Sequence, residues 1–151
     1  MVKKIILMIL FIVTSNTINS QKLYIEKYQS MADSLETVYQ IPSSVMLAIG
    51  FYESAGGKSK VALLLNNHFG IVGSNNLMQT HQIYSRYRYF ESVEASYKGF
   101  CQLVSNKRFY SKLKGSDDTS NWVYSLYSVG YASSGQWPVK INKLIKNYNI
   151  N

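Results

Sequence analysis

The stretch from Ile41 to Ser59, IPSSVMLAIGFYESAGGKS, constrains the fold of this chain most strongly. Pro42 suits the first turn of a helix, because its φ is already helical and its missing N–H is not needed there. The residues from Val45 to Tyr52 are apolar or small on every face, so the helix should run through the interior. Gly56 and Gly57 then allow the chain to turn away. We therefore expect a domain built around one buried helix.

Glu53 falls at the C-terminal end of this helix, where the apolar interior should meet solvent. Ile49 and Gly50 share its face, so one neighbour is apolar and the other lets a second segment approach closely. Partial desolvation raises the pKa of a carboxyl group, and an acid that stays protonated near neutral pH can protonate a leaving group. On the local pattern alone, a boundary glutamate that merely reaches water is the simpler interpretation.

Residues 1–20 have the pattern of a secretory signal peptide. Lys3 and Lys4 precede the apolar run Ile5–Val13, and the small residue Ser20 comes just before Gln21. An uncleaved membrane anchor is the alternative, although no other apolar run approaches about 18 residues. We expect residues 21–151 to form a single exported domain, periplasmic or secreted, without stable membrane insertion and monomeric.

The chain is basic, with a formal net charge of +8. Without Lys3 and Lys4, 14 basic residues remain against 8 acidic ones, which leaves a net charge of +6. An exported basic domain suits an anionic polymer such as a cell wall or a lipid surface. Nucleic acid is a poorer partner, because the lysines are spread out and export separates the protein from it.

Cys101 is the only cysteine, so no intrachain disulfide can form. It lies in a helical pattern of apolar residues, which favours a buried structural thiol over a nucleophile. His68 and His81 are isolated, and metal ligands occur in clusters at set spacings. We therefore expect neither a metal site nor a cofactor.

Periodicity and capping residues predict a mostly helical domain of about six helices. The expected segments, besides the one described above, are Leu23–Tyr39, Ser59–Leu65, Val93–Val104 capped by Ser92, a helix after Asp117–Ser120, and Trp137–Tyr148. Between Leu77 and Phe90 the helical period is lost, and Tyr87 and Tyr89 alternate with two arginines as on a strand. The prediction is an α+β fold, predominantly α-helical, of a lysozyme-like kind with one small, irregular β-hairpin.

Three blocks in order resemble the glucosaminidase family of bacterial peptidoglycan hydrolases, glycoside hydrolase family 73, which includes flagellar muramidase-like domains. The first block is IPSSVMLAIGFYESAGGKSKVA, Ile41–Ala62, and the second is NNHFGIVG, Asn66–Gly73. The third is YRYFESVEAS, Tyr87–Ser96, followed by GYAS at Gly130–Ser133. The resemblance extends over nearly all of the chain after residue 20.

The resemblance implies roles for individual residues. Glu53 stands where the family has its general acid, and Tyr131 where a tyrosine lines the cleft opposite that acid. A buried core tyrosine with a satisfied hydroxyl is the alternative for Tyr131. Asn67, Phe69 and Gly70 are similar to the turn that shapes the floor of the groove.

The chain departs from the family pattern in the predicted hairpin. Thr80 and His81 stand where many relatives carry a threonine followed by a glutamate, and no Asp or Glu occurs between Asn66 and Phe90. Most glycosidases use two carboxylates, one as acid and one as base or nucleophile. The second group is therefore not evident in this sequence.

Three replacements for that group stay open: His81 as a base, Glu91 or Glu94 moving in, or attack by the N-acetyl oxygen of the sugar itself. Substrate assistance with Glu53 as the sole acid is preferred, because it needs no further residue.

Aromatic residues are numerous enough to form a sugar-binding surface, since flat rings with a polar edge stack on sugar rings. We expect His81, Tyr84, Tyr87 and Tyr127 to contact substrate, whereas Trp122 and Trp137 are expected in the core. The resemblance thus predicts an exported endo-β-N-acetylglucosaminidase that acts on peptidoglycan glycan strands. A lytic transglycosylase and a non-catalytic wall-binding module are the alternatives.

Overall fold

The structure is a computed structural model that describes the backbone of residues 2–147 and the side chains of residues 19–147. The side chains of residues 1–18, which make up most of the predicted signal peptide, lie outside the described part. Within the described part of the chain, no helix is both long and apolar enough to cross a membrane.

The described residues form a predominantly helical fold. The helices are α1 (Val2–Tyr39), α2 (Ser43–Glu53), α3 (Lys60–Leu65), α4 (Leu77–His81), α5 (Val93–Ser105), α6 (Tyr110–Leu113), α7 (Thr119–Ser128) and α8 (Trp137–Asn147). The predicted end of the last helix at Tyr148 falls outside the described residues. The short helices α4 and α6 were not predicted.

Helix α2 forms the centre of the core, as its apolar sequence predicts. Residues Val45–Ile49 are at most 1% exposed, and α2 packs against α1, α7 and α8. Gly56 and Gly57 adopt positive φ values of 67° and 79°, which turn the chain away directly after the helix. Helix α2 therefore ends at Glu53, at the edge of the core.

The second segment expected near Gly50 is present. A Cβ atom at Gly50 would lie 2.7 Å from the Tyr97 hydroxyl of α5 and 2.8 Å from the Tyr24 hydroxyl of α1. These two hydroxyls are hydrogen-bonded to each other at 2.8 Å, and Tyr24 also bonds His68 Nδ1 at 2.7 Å. Glycine is thus required for the close approach that holds the last turn of α2 against α1 and α5.

The predicted helix caps are confirmed. The Ser59 hydroxyl accepts a hydrogen bond from the Ala62 N–H at 3.1 Å, and the Ser92 hydroxyl accepts one from the Ala95 N–H at 3.0 Å. Asp118, in the predicted capping cluster, caps α7 in the same manner. Each cap satisfies an N–H that has no partner within its helix.

The predicted β-hairpin is wrong for the described residues. The segments around Val72 and Tyr87 are joined by one isolated antiparallel bridge between these two residues. Beyond it, the Asn75 side-chain amide donates to the carbonyls of Ser85 and Tyr87 at 2.8 and 2.7 Å, so a side chain replaces the backbone partner that a strand would supply. Directly afterwards Leu77 is buried and begins α4, so the residues that would continue the strand pairing are helical instead.

Candidate active site

Glu53 is the last residue of α2, and its carboxyl group is partly buried. Its Oε1 atom accepts a hydrogen bond of 2.7 Å from the indole Nε1 of Trp137, the first residue of α8. Trp137 is only 2% exposed, so the indole is held firmly by the core. The interface between α2 and α8 therefore sets the orientation of this carboxyl group.

The environment of Glu53 shifts its acid–base equilibrium towards the protonated form. Burial raises the pKa of Glu53, while the indole N–H stabilises the carboxylate and opposes part of that increase. The ion pair found among the described residues joins Lys22 to Glu26, so no lysine neutralises Glu53. The direction of the pKa change agrees with the one inferred from the sequence.

A cavity of about 440 Å³ opens in front of Glu53. This is within the usual range for a small-molecule site. Its lining consists of Glu53, Phe69, Gly70, Ile71, Val72, Arg86, Tyr87, Leu103, Lys107, Val129, Gly130 and Tyr131. We call it the Glu53 cavity.

The floor of the Glu53 cavity is shaped by the segment that contains Asn67, Phe69 and Gly70. Asn67 is 1% exposed, and its amide donates to the carbonyls of Ile71 and Arg88 at 2.8 and 2.9 Å. Its side-chain oxygen accepts from the N–H groups of Phe69 and Ile71. Asn67 therefore lies beneath the cavity and holds its floor together, whereas Phe69 and Gly70 line the cavity itself.

Tyr131 lines the same cavity as Glu53. Its hydroxyl donates a hydrogen bond of 3.0 Å to the carbonyl of Phe69, and its ring packs against Phe100 and Trp137. Burial, with the nearby negative charge of Glu53, raises the pKa of Tyr131 well above its usual value, so the phenol stays neutral. The residue therefore contributes to the cavity wall, and its hydroxyl has a backbone partner.

The other predicted contact residues separate into two groups. Tyr87 lines the Glu53 cavity. His81, Tyr84 and Tyr127 do not: His81 is exposed and hydrogen-bonded to Thr80 at 2.7 Å, Tyr84 is 85% exposed, and Tyr127 packs against the core. The structure therefore brings only Tyr87 of these four residues to the candidate acid.

Glu53 is the only acidic residue among those that line its cavity. Glu91 and Glu94 are both exposed, and Glu94 occupies the first turn of α5, where a negative charge suits the helix dipole. Neither glutamate lines the cavity, and His81 does not replace them there.

Three features of the site were missed by sequence reasoning. Arg86 and Lys107 line the cavity, and neither belongs to an ion pair among the described residues. Trp137 lies in the core as predicted, but its hydrogen bond to Glu53 was not foreseen. The alternation of arginine with tyrosine was a signal for Arg86, whereas Lys107 lies in an ordinary polar segment after α5 and had none.

The remaining reactive groups are structural. Cys101 is fully buried, and burial raises the pKa of its thiol to about 12. His68 is 2% exposed and bonded to Tyr24, and burial lowers the pKa of its imidazole to about 4, which keeps it neutral. Among the side chains that the structure describes, no three His, Cys, Asp or Glu residues are grouped so that they could hold a metal ion.

Two solved structures share this fold. The catalytic domain of the autolysin Auto from Listeria monocytogenes matches with a TM-score of 0.71 and 23% identity, covering 87% of this chain and 85% of that one. A peptidoglycan hydrolase from Sphingomonas sp. A1 matches with a TM-score of 0.68 and 21% identity, covering 85% and 89%. At this level of identity, the likeness establishes the fold.

Sequence comparison gives a consistent result. The exo-glucosaminidase LytG of Bacillus subtilis (strain 168) is 24% identical over 150 residues, which is 88% of this chain and 53% of LytG. This chain thus spans about half the length of that curated relative. The Glucosaminidase family model, described as mannosyl-glycoprotein endo-β-N-acetylglucosaminidase, matches residues 29–150. The chain therefore belongs to the glucosaminidase family.

Proposed function

We propose that this protein is an exported peptidoglycan hydrolase that cleaves the glycosidic bond after N-acetylglucosamine, with Glu53 as the general acid. The observation that carries the proposal is a partly buried carboxyl group with a raised pKa at the wall of a cavity of about 440 Å³. Membership of the glucosaminidase family supports the reaction class. The likeness to LytG and to a peptidoglycan hydrolase supports the substrate.

The hydrogen bond from Trp137 gives the two oxygens of Glu53 different roles. Oε1 accepts the indole N–H, so the acidic proton resides on Oε2. From there it can pass to the bridging oxygen of the scissile bond as that bond breaks. Trp137 would thus act as a positioning residue for the acid.

The absence of a second acid among the cavity-lining residues supports a substrate-assisted route. The carbonyl oxygen of the sugar's N-acetyl group would attack the anomeric carbon while Glu53 protonates the departing oxygen. Glu53, now ionised, would then take a proton from the water that opens the cyclic intermediate. Each step balances with one carboxyl group, and Tyr131 would contact the N-acetyl group from the same cavity.

Analysis of the chain ends produced from purified sacculi tests the proposed reaction. Reducing N-acetylglucosamine ends are expected. Anhydromuramic acid ends would instead identify a lytic transglycosylase, which a single acid also suits. Binding to sacculi without release of either end would identify a non-catalytic wall-binding module.

Replacement of Tyr131 by phenylalanine should lower kcat by about 10²-fold, because the hydroxyl that donates to the Phe69 carbonyl here would turn to donate to the N-acetyl oxygen in the reacting complex, and phenylalanine has no donor. A merely structural tyrosine would lose one hydrogen bond, about 1 kcal/mol of folding stability, with kcat preserved. Kinetic measurement together with thermal unfolding separates the two. Tyr110→Phe is the matched control, since its hydroxyl bonds the Tyr39 carbonyl and does not line the cavity.

Replacement of Trp137 by phenylalanine should shift the alkaline limb of the pH–rate profile to higher pH. The indole N–H favours the ionised form of Glu53, so its loss raises the pKa of the acid further. A general acid works only when protonated, and activity would then persist to higher pH. Trp122→Phe is the control, because its indole donates to the Ser116 carbonyl. A limb that stays in place or moves to lower pH would contradict this role.

A further inference from the structure

A second cavity, of about 370 Å³, adjoins the Glu53 cavity. Arg86 and Tyr87 line both cavities, so these two side chains form a shared wall. The two cavities are therefore neighbours, with these two side chains between them.

The wall of the second cavity is mainly apolar. It includes Val61 and Leu64 of α3, Leu77 of α4, and Ile83 and Tyr84 from the segment after α4. Ile83 is 37% exposed and Tyr84 is 85% exposed, so part of this surface stays open to solvent. The exposed surface of this wall is mostly aliphatic and aromatic carbon, which suits alkyl groups of a ligand better than the hydroxyl groups at the edge of a further sugar ring.

The two charged side chains that line the second cavity are both cationic. Lys60 and Arg86 line it, and residues 54–90 carry lysines and arginines but no Asp or Glu. Neither Lys60 nor Arg86 belongs to an ion pair among the described residues. The cavity is therefore complementary to a ligand that combines small apolar groups with free carboxylates.

We propose that this cavity binds the stem peptide of peptidoglycan, the short peptide attached to the muramic acid on the far side of the cleaved bond. The inference rests on the function proposed above. Cleavage after N-acetylglucosamine leaves the bridging oxygen on the muramic acid, so the peptide begins one sugar from the proton donor. Its alanine methyl groups match the apolar wall, and its carboxylates match Lys60 and Arg86.

Binding measurements with the Glu53→Gln protein test this inference without cleavage. The probes are N-acetylglucosaminyl-N-acetylmuramic acid carrying a tripeptide and the same disaccharide without the peptide, titrated by calorimetry. We expect the peptide-bearing probe to bind about tenfold more tightly. Equal affinities, or no measurable binding of either probe, would overturn the inference.

Two matched pairs of variants in the same background locate the effect. Ile83→Ser should remove most of the tenfold preference and Lys60→Gln should lower it about threefold, because each loses one type of contact. Val139→Ser, on exposed α8 surface, and Lys58→Gln, in the turn before α3, do not line the cavity and should retain the preference. A preference that survives Ile83→Ser would also overturn the inference.

Failure of this inference and failure of the proposed function give different results. If the wild-type protein releases reducing N-acetylglucosamine ends but the two probes bind equally, the proposed reaction is supported and the peptide site is contradicted. If the affinities of the two probes differ tenfold but sacculi release no reducing ends, the peptide site is supported and the proposed reaction is contradicted.

Discussion

Replacement of Glu53 by glutamine should lower the rate of glycan cleavage by about 10²- to 10⁴-fold, the usual contribution of a general acid. Glutamine cannot supply an acidic proton, but its side-chain oxygen can still accept the hydrogen bond from Trp137. The variant should therefore keep the shape of the site and bind sacculi normally. Release of reducing ends from purified sacculi, with a parallel binding assay, measures both properties.

Glu91→Gln and Glu94→Gln are the matched controls for this experiment. Both glutamates are exposed and neither lines the Glu53 cavity, so each variant should cleave at close to the wild-type rate. A Glu53→Gln protein that lyses sacculi as fast as wild type would contradict the role of Glu53 as the general acid. A loss in either control as large as the loss in Glu53→Gln would instead indicate a second carboxylate and contradict the substrate-assisted route.

Replacement of Asn67 by alanine should lower the free energy of unfolding by about 2 to 4 kcal/mol. The side chain is 1% exposed. Its removal leaves the carbonyl of Arg88 and two N–H groups without a partner, and it takes one of two donors from the carbonyl of Ile71, which keeps the Arg88 N–H. Since these bonds join the segments at residues 67–71 and 88, the floor of the cavity should loosen as well. Denaturant unfolding and cleavage rate should therefore both change.

Asn142→Ala is the control for Asn67→Ala, because Asn142 is only partly buried and its single hydrogen bond reaches a serine on α7. Its loss should change the free energy of unfolding by less than about 0.5 kcal/mol. Asn67→Asp gives a second check, since a carboxylate can accept from the two N–H groups but cannot donate to the carbonyls. An Asn67→Asp protein as stable as wild type would contradict the account of the floor.

The parts of the fold that were predicted correctly depend on local chemistry. The buried α2 helix follows from apolar residues on all of its faces, and the caps at Ser59 and Ser92 follow from one side chain and the turn directly after it. The position of Glu53 at the end of this helix follows from the same stretch of sequence. Each of these features depends on residues within a few positions of one another.

The parts that were mispredicted or missed depend on longer-range competition. The alternating residues Arg86–Tyr89 suggested a strand, but the Asn75 side chain competes for the carbonyls of Ser85 and Tyr87 and stops the pairing after one bridge. No sequence pattern within residues 71–90 indicates whether these carbonyls will accept from the Asn75 side chain or from the backbone of a paired strand. Likewise, the hydrogen bond between Trp137 and Glu53 joins residues 84 positions apart.

Neighbouring residues were enough to predict a buried helix that ends at Glu53 in the centre of this protein, because helix periodicity and caps depend on residues close together in the chain. Which side chains face that acid depends on segments that are far from it in the chain. The packing of α8 on α2 brings Trp137 to one oxygen of Glu53, and the folding of residues 67–90 brings Arg86 and Tyr87 to its cavity but leaves His81 outside. Such neighbours are set by how whole elements pack, which no local pattern encodes.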